Sequence, residues 1–254
     1  MSIIDKLIIH QNTIDYISEE RYEKEMGGYI KTAESFAMMS CPSVYIYDFY
    51  QRKCLYVSDN PLFLCEHSVE EIKEMGLKYV ENFVPEEEQK MLIEMNKAFF
   101  NFLDTNVPVN DRCKVYSMCD FHITFKDKKI LVNQKSCPLA LTDDGKVWLL
   151  LCIVSFSPHR EVGNIELHFH GEKHFWKYSL DSHDWVEAEL KLLTTIERTV
   201  LMLAIQGKGS YEIAKEMGLS ENTVKFHRRS ILHKCMAGSL VEAYANAVMQ
   251  KILY

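Results

Sequence analysis

The sixteen residues SENTVKFHRRSILHKC, Ser220–Cys235, concentrate positive charge in a chain that is acidic overall. At 100° per residue, Val224 and Ile231 lie on one face of a helix, while Lys225 and Arg229 lie on the opposite face. The apolar face can pack against a domain core, and the cationic face can meet base edges and phosphates in the major groove of DNA. The stretch therefore predicts an amphipathic helix suited to nucleic acid.

The residues immediately before this stretch predict a second helix and a tight turn. In SYEIAKEM, Ile213 and Met217 have helical spacing, and Gly218 then permits the positive φ that an inter-helix turn often needs. Ser220 can cap the following helix. Two short helices joined in this way form a helix-turn-helix. A cationic helix face that serves only solubility is the other interpretation of the charge, and the turn weighs against it.

Charge is distributed unevenly along the chain. From Leu190 to Tyr254 the sequence has nine Lys and Arg against five Glu, a balance of +4, although the net charge of the chain is −7. Such an imbalance indicates a cationic module joined to an acidic one, and nucleic acid is the usual partner of a cationic module.

Residues Leu193 to Ala243 resemble the LuxR-type DNA-binding domain. LTTIERTVLMLAIQG and EIAKEMGLSENTVKFHRRSILHKC follow the pattern of that family without a gap. The resemblance implies a four-helix domain that binds double-stranded DNA as a homodimer. The implied DNA contacts are Lys225, Phe226 and Arg229 at the bases or groove floor, His227, Ser230 and Lys234 nearer phosphates, and Thr223 at the helix start.

The last helix, SLVEAYANAVMQKIL, has a stripe of apolar and small side chains formed by Val241, Tyr244, Ala245 and Val248. A helical stripe of this kind is usually core. It is also suited to close approach by a second copy of the helix, and the resemblance favours this use. Both interpretations stay open on the sequence alone.

The first three quarters of the chain alternate between strand-like and helical patterns. SVYIYDFYQRKCLYVS predicts a β-hairpin from Ser43 onward. Helical segments follow, including a long one that begins near Pro85, and three strand-like runs then extend from Cys113 to Phe156. This order resembles a PAS domain from about Cys41 to Pro158. The resemblance implies an antiparallel sheet with helices over one face and a pocket between them for a small ligand.

Residues 161–190 predict a connector that is rich in histidine. His168 and His170 would share one face of a strand, which is a spacing within metal-ligand reach. No second cluster completes a metal site, so a β-hairpin that turns at Gly171 is the favoured interpretation. We predict no metal ligands, no catalytic residues and no cofactor. The chain has no nucleophile elbow, phosphate loop or HExxH motif, which argues against an enzyme.

The start of the chain lacks the features of a signal peptide. The longest apolar run of the whole chain, Val147–Val154, is too short to span a membrane. The eight scattered cysteines contain no CxxC pair and indicate reduced thiols. These features predict a cytoplasmic protein without a membrane partner.

The sequence as a whole predicts an α+β protein. We expect a helical segment at 1–40, a PAS-like sensor at 41–160, the connector at 161–190 and an all-α four-helix helix-turn-helix domain at 191–254. The corresponding function is a transcription regulator that binds DNA, responds to a small ligand or partner, and acts on the transcription machinery. The alternative is a signalling module whose cationic helix docks an acidic protein.

Overall fold

The protein is described by a computed structural model over residues 12–126, 128–249 and 252–253. The chain divides into two compact units, Met1–Glu187 and Ala188–Tyr254. Among the described residues, no helix combines the length and apolar character needed to cross a bilayer.

The first unit is built on an antiparallel sheet whose strand order is β2-β1-β5-β4-β3-β6-β7-β8. The strands are β1 (Ser43–Asp48), β2 (Lys53–Val57), β3 (Val115–Phe125), β4 (Lys128–Leu141), β5 (Val147–Phe156), β6 (Gly163–Phe169), β7 (His174–Ser179) and β8 (Asp184–Glu189). The predicted hairpin is formed by β1 and β2, which pair antiparallel. The three predicted runs form β3, β4 and β5, and β4 pairs with both neighbours.

Helices cover one face of this sheet, as the PAS resemblance implied. They are α2 (Pro61–Leu64), α3 (Val69–Met75), α4 (Lys78–Phe83) and α5 (Glu86–Asn106), followed by a 3-10 helix (Val109–Lys114). Three glutamates in the first turn of α5 favour its start because they face the positive end of the helix dipole. Leu92, Met95 and Phe99 of α5 are buried in one core with Phe121 and Leu150 of the sheet. The unit therefore has the predicted PAS-like α+β architecture.

A separate helix, α1 (Glu19–Met39), packs on the other face of the sheet. Successive strand residues point to opposite faces, so Tyr45 and Tyr47 of β1 face the main core, whereas Val44 and Ile46 pack with α1. The predicted N-terminal helical segment is thus helical over Glu19–Met39. Residues 1–11, which the prediction included in the same segment, lie outside the described residues.

The segment that the sequence assigned to a connector forms part of the sheet. β6 and β7 make a hairpin around Gly171, whose φ is +86°. β6 also pairs with β3, with Val115 opposite Phe169 and Met118 opposite Glu166. Residues 163–189 therefore extend the PAS-like sheet by three strands. The local pattern indicated the hairpin, but the pairing joins residues about 50 apart in the chain, which periodicity alone does not encode.

Over its described residues, the second unit contains four helices, as the resemblance implied. They are α6 (Thr195–Ile205), α7 (Ser210–Met217), α8 (Glu221–Lys234) and α9 (Leu240–Met249). Their core includes Val200, Ile213, Val224 and Ile231, which are fully buried. Each helix contributes one apolar face to this core, which leaves the opposite faces exposed.

Candidate nucleic-acid interface and sensor cavity

The turn between α7 and α8 has the geometry that the sequence predicted. Gly218 ends α7 in the left-handed conformation with φ +65°. The Ser220 hydroxyl then accepts a hydrogen bond from the Thr223 backbone N–H at 3.1 Å and caps α8. The end of α7 and the start of α8 are therefore both determined by local residues, and the turn between them sets the angle between the two helices.

The two faces of α8 differ sharply in exposure. Val224, Ile231 and Cys235 are completely buried. On the opposite side, five exposed residues fall within about 100° of the helix circumference. We call these residues the recognition stripe: Asn222, Lys225, Phe226, Arg229 and His233. The stripe combines hydrogen-bond donors and positive charge with one phenyl ring.

Three of the predicted DNA contacts, Lys225, Phe226 and Arg229, lie on the recognition stripe. The Lys225 ammonium is 2.7 Å from the Glu221 carboxylate in an i,i+4 pair, and both side chains are about half exposed. Such surface pairs contribute at most about 1 kcal/mol, so Lys225 can exchange this partner for a phosphate or a base. Thr223 lies in the first turn of α8, where its hydroxyl is 2.8 Å from that of Ser220.

The structure places Ser230 and Lys234 differently from the sequence expectation. Both side chains turn toward α6 and donate to the buried carboxylate of Glu197, Ser230 at 2.7 Å and Lys234 at 2.7 Å. Lys234 also donates to the Leu192 carbonyl at 3.2 Å. These two residues, predicted near phosphates, thus hold α8 against α6. His227 is half-buried beside Phe226, with ring centroids 5.7 Å apart.

Glu197 organises this contact, although it was not among the predicted site residues. The Thr194 backbone N–H donates to its carboxylate at 2.7 Å, in a capping box at the start of α6. Burial opposes the charged form, but the hydrogen bonds from Lys234, Ser230 and Thr194 outweigh it and lower the pKa of Glu197 to about 2. The carboxylate is therefore ionised at neutral pH. The T-x-x-E spacing from Thr194 is the signal that could have identified it.

The structure shows which side chains of the last helix, α9, face the domain core and which are exposed. Ala243, Asn246 and Ala247 face the core, and Asn246 donates to the Cys235 carbonyl at 3.0 Å. The predicted stripe lies elsewhere: Val241 is 72% exposed and Val248 is 42% exposed, while Tyr244 and Ala245 are half-buried. An apolar stripe that is left exposed is available to a second copy of the chain.

The PAS-like unit contains a cavity of about 80 Å³ between its sheet and its helices. Aromatic and apolar side chains form most of the wall, with Tyr45, Tyr47 and Phe63 among them, and no charged residue of the described chain lines it. The cavity therefore favours a neutral occupant.

Two tyrosine hydroxyls in the cavity wall, those of Tyr45 and Tyr47, differ in their partners. The Tyr45 hydroxyl donates to Gln134 at 2.9 Å, whereas the buried Tyr47 hydroxyl has no hydrogen-bond partner among the described residues. Burial raises the pKa of Cys152 to about 11, so its thiol is uncharged at neutral pH. Of the two tyrosines, Tyr47 is thus the one whose hydroxyl makes no hydrogen bond with the described residues.

Of the two histidines that the sequence placed on one strand face, His168 is buried and engaged within the protein, whereas His170 is exposed. The buried ring of His168 stacks between Tyr116 and Phe175, at centroid distances of 5.0 and 4.7 Å. Its Nε2 lies 2.9 Å from the Glu166 carboxylate. Among the described residues, no group of three or more His, Cys, Asp or Glu is arranged to hold a metal ion.

Comparison with known proteins concerns mainly the second unit. Residues 191–247 match the family described as GerE, bacterial regulatory proteins of the luxR family. The transcriptional activator protein SolR of Ralstonia solanacearum is 42% identical over 57 residues, which are 22% of this chain and 24% of SolR. The chain thus matches about a quarter of the length of that relative.

Among solved structures, a Vibrio cholerae VqmA dimer without its target DNA is 16% identical, with a TM-score of 0.34 over 93% of this chain and 89% of that one. A complex of VqmA with ligand and DNA is 13% identical, with a TM-score of 0.32 over 94% and 90%. At these scores the likeness establishes no common arrangement for the whole chain. The helix order, the Gly218 turn and the family match together identify the C-terminal unit as a LuxR-type helix-turn-helix domain.

Proposed function

We propose that this chain is a sequence-specific DNA-binding transcription regulator whose PAS-like unit senses a small ligand. The observation that carries the proposal is the recognition stripe, which is exposed on a helix whose other face is sealed in the domain core. In this proposal Lys225, Phe226 and Arg229 contact bases, while His227 and Thr223 lie near phosphates. The activity belongs in the cytoplasm, where chromosomal DNA is found, and it requires no catalysis.

Selection from a random duplex DNA library tests this function directly. The full-length chain should enrich a preferred sequence, and affinity for that sequence should exceed affinity for unrelated DNA by about 10³-fold or more at physiological salt. The alternative function, docking of the cationic helix on an acidic protein, predicts weak binding to DNA without sequence preference. Salt dependence alone does not separate the two functions, since both are electrostatic.

The proposed regulator acts as a homodimer through the exposed stripe of α9, formed by Val241, Tyr244, Ala245 and Val248. Two copies would read two half-sites and roughly double the number of phosphate contacts. The support is the exposure of Val241 and Val248 in this stripe, on a helix whose other face is buried. Recruitment of the transcription machinery would follow binding at a promoter.

We expect Val241→Glu to weaken the dimer at least tenfold, because a carboxylate at the seam must be desolvated without a partner. Sedimentation velocity measures this change, and affinity for a two-half-site DNA should fall with it. Val186→Glu is the matched control, since Val186 is also an exposed valine but lies on β8. A Val241→Glu variant that sediments like the parent protein contradicts the α9 seam.

Ligand sensing is assigned to the cavity of the PAS-like unit. The support is a neutral wall of mostly aromatic and apolar side chains, in which the Tyr47 hydroxyl has no hydrogen-bond partner among the described residues. A ligand that binds one conformation of this unit more tightly shifts the population toward that conformation. Through this shift, ligand binding would affect the DNA-binding unit. The small volume of the cavity restricts the occupant to a small molecule unless the wall opens.

We expect Tyr47→Phe to raise the stability of the unliganded protein by about 1–3 kcal/mol, because a buried hydroxyl without a partner is costly. Tyr45→Phe is the matched control: it removes a hydrogen bond that is made, and it should lower stability by about 1 kcal/mol. Urea unfolding followed by tryptophan fluorescence measures both. For neutral molecules that raise the melting temperature of the parent protein, Tyr47→Phe should reduce the shift. Equal losses of stability in the two variants would contradict the role assigned to Tyr47.

A further inference from the structure

Phe226 is exceptional among the side chains of the recognition stripe. It is 65% exposed, and it is the only apolar member of the stripe as defined above. Leaving a phenyl ring in water forgoes the stabilisation that its burial would give. Phe226 takes no part in the core of the domain and makes a T-shaped contact with the neighbouring His227 ring, at 5.7 Å between centroids. The exposed part of its ring can therefore contact an external partner.

The neighbours of Phe226 restrict the chemistry of that partner. Lys225 and Arg229 lie beside it on the same stripe and carry positive charge, and Asn222 lies one turn before it. An apolar protein pocket that covered the ring would also have to desolvate these charges. The major groove of DNA avoids this conflict, because it offers phosphates and base acceptors around a single kind of apolar group, the 5-methyl of thymine.

We propose that Phe226 is a specificity-determining residue that reads thymine by packing its ring against the 5-methyl group. The inference rests on the proposed DNA-binding function and adds the identity of a base to it. The cationic residues on either side position the helix, and the phenyl ring distinguishes thymine from cytosine at one place in each half-site. Uracil has the same base-pairing edge as thymine but lacks the methyl group, so it isolates this contact.

The test uses the full-length chain and the duplex obtained by selection from random DNA. Each thymine of that duplex is replaced singly by uracil, and affinity is measured by fluorescence anisotropy at fixed salt. At one thymine per half-site, we expect uracil to weaken binding of the parent protein about fourfold, which corresponds to the burial of one methyl-sized group. The Phe226→Ala variant should bind the thymine duplex more weakly, and the same uracil should change its affinity by less than twofold.

Tyr211→Ala is the matched control, because Tyr211 is an aromatic residue with 69% exposure on α7, away from the stripe. It should keep the discrimination between thymine and uracil. Circular dichroism of Phe226→Ala should be unchanged, since the side chain is outside the core.

The possible outcomes separate this inference from the function on which it rests. A preferred sequence whose affinity is indifferent to every thymine methyl overturns the inference alone, as does equal sensitivity to uracil in the parent protein and Phe226→Ala. Selection that returns no preferred sequence overturns the proposed function and this inference with it.

Discussion

Replacing Lys225 and Arg229 together with alanine should lower affinity for the selected DNA by about 2–6 kcal/mol, at least thirtyfold. Each residue that holds a good base contact contributes about 1–3 kcal/mol of discrimination, and the sum applies when the two side chains contact different bases. Both side chains are exposed on α8, so their removal should leave the fold intact. Fluorescence anisotropy against the selected duplex and against a scrambled duplex measures the loss and its specificity.

Lys215→Ala is the control for the loss of charge, because Lys215 is an exposed lysine of α7 that lies outside the recognition stripe. It should change affinity for both duplexes by a similar, smaller factor. If the double variant keeps its affinity for the selected duplex within twofold of the parent protein, α8 does not read the groove. The proposed function would then lose the observation that carries it.

The features that could be predicted from the sequence are those that depend on neighbouring residues. The left-handed Gly218 and the Ser220 cap lie within three positions of each other and determine the turn locally. The recognition stripe likewise follows from helical periodicity once the helix is placed. In the first unit, the strand-like pattern from Ser43 onward predicted the strand β1. Each of these predictions required only one element at a time.

The features that escaped prediction depend on contacts between distant elements. Ser230 and Lys234 lie on the side of α8 that approaches α6. Only the packing of the two helices shows that both side chains donate hydrogen bonds to Glu197. The extension of the sheet likewise depends on the pairing of β6 with β3, which are distant in the sequence. The missing hydrogen bond of Tyr47 could not be predicted either, because an unsatisfied group is defined by all of its surroundings.

The position of α8 depends on the charge of Glu197, and this dependence predicts a response to pH. The pKa of Glu197 falls from its ordinary value of 4.5 to about 2 in the folded protein. As the pH falls, the unfolded chain therefore binds a proton at Glu197 before the folded protein does. The stabilisation is fully present above about pH 5 and is lost as the pH falls toward 2, and its size is on the order of 3 kcal/mol.

We expect Glu197→Gln to lower the free energy of unfolding of the C-terminal unit by about 3 kcal/mol at pH 7. Glutamine keeps the size of the side chain, but it leaves the Lys234 ammonium beside a neutral group and weakens the hydrogen bonds to the carboxylate. Urea unfolding of the full-length chain, followed by hydrogen-exchange mass spectrometry of peptides from α6 and α8, measures the loss. Because glutamine does not titrate, the free energy of unfolding of the variant should also fall less than that of the parent protein as the pH decreases.

Glu216→Gln is the matched control for this change. Glu216 is an exposed glutamate of the same unit, and its carboxylate pairs with Lys208 on the surface. Because surface pairs contribute little, this variant should lose less than about 1 kcal/mol and keep the acid response of the parent protein. Equal losses in the two variants would mean that the Glu197 carboxylate does not anchor Lys234 and Ser230. Those two side chains would then be available to phosphates, as the family resemblance implied.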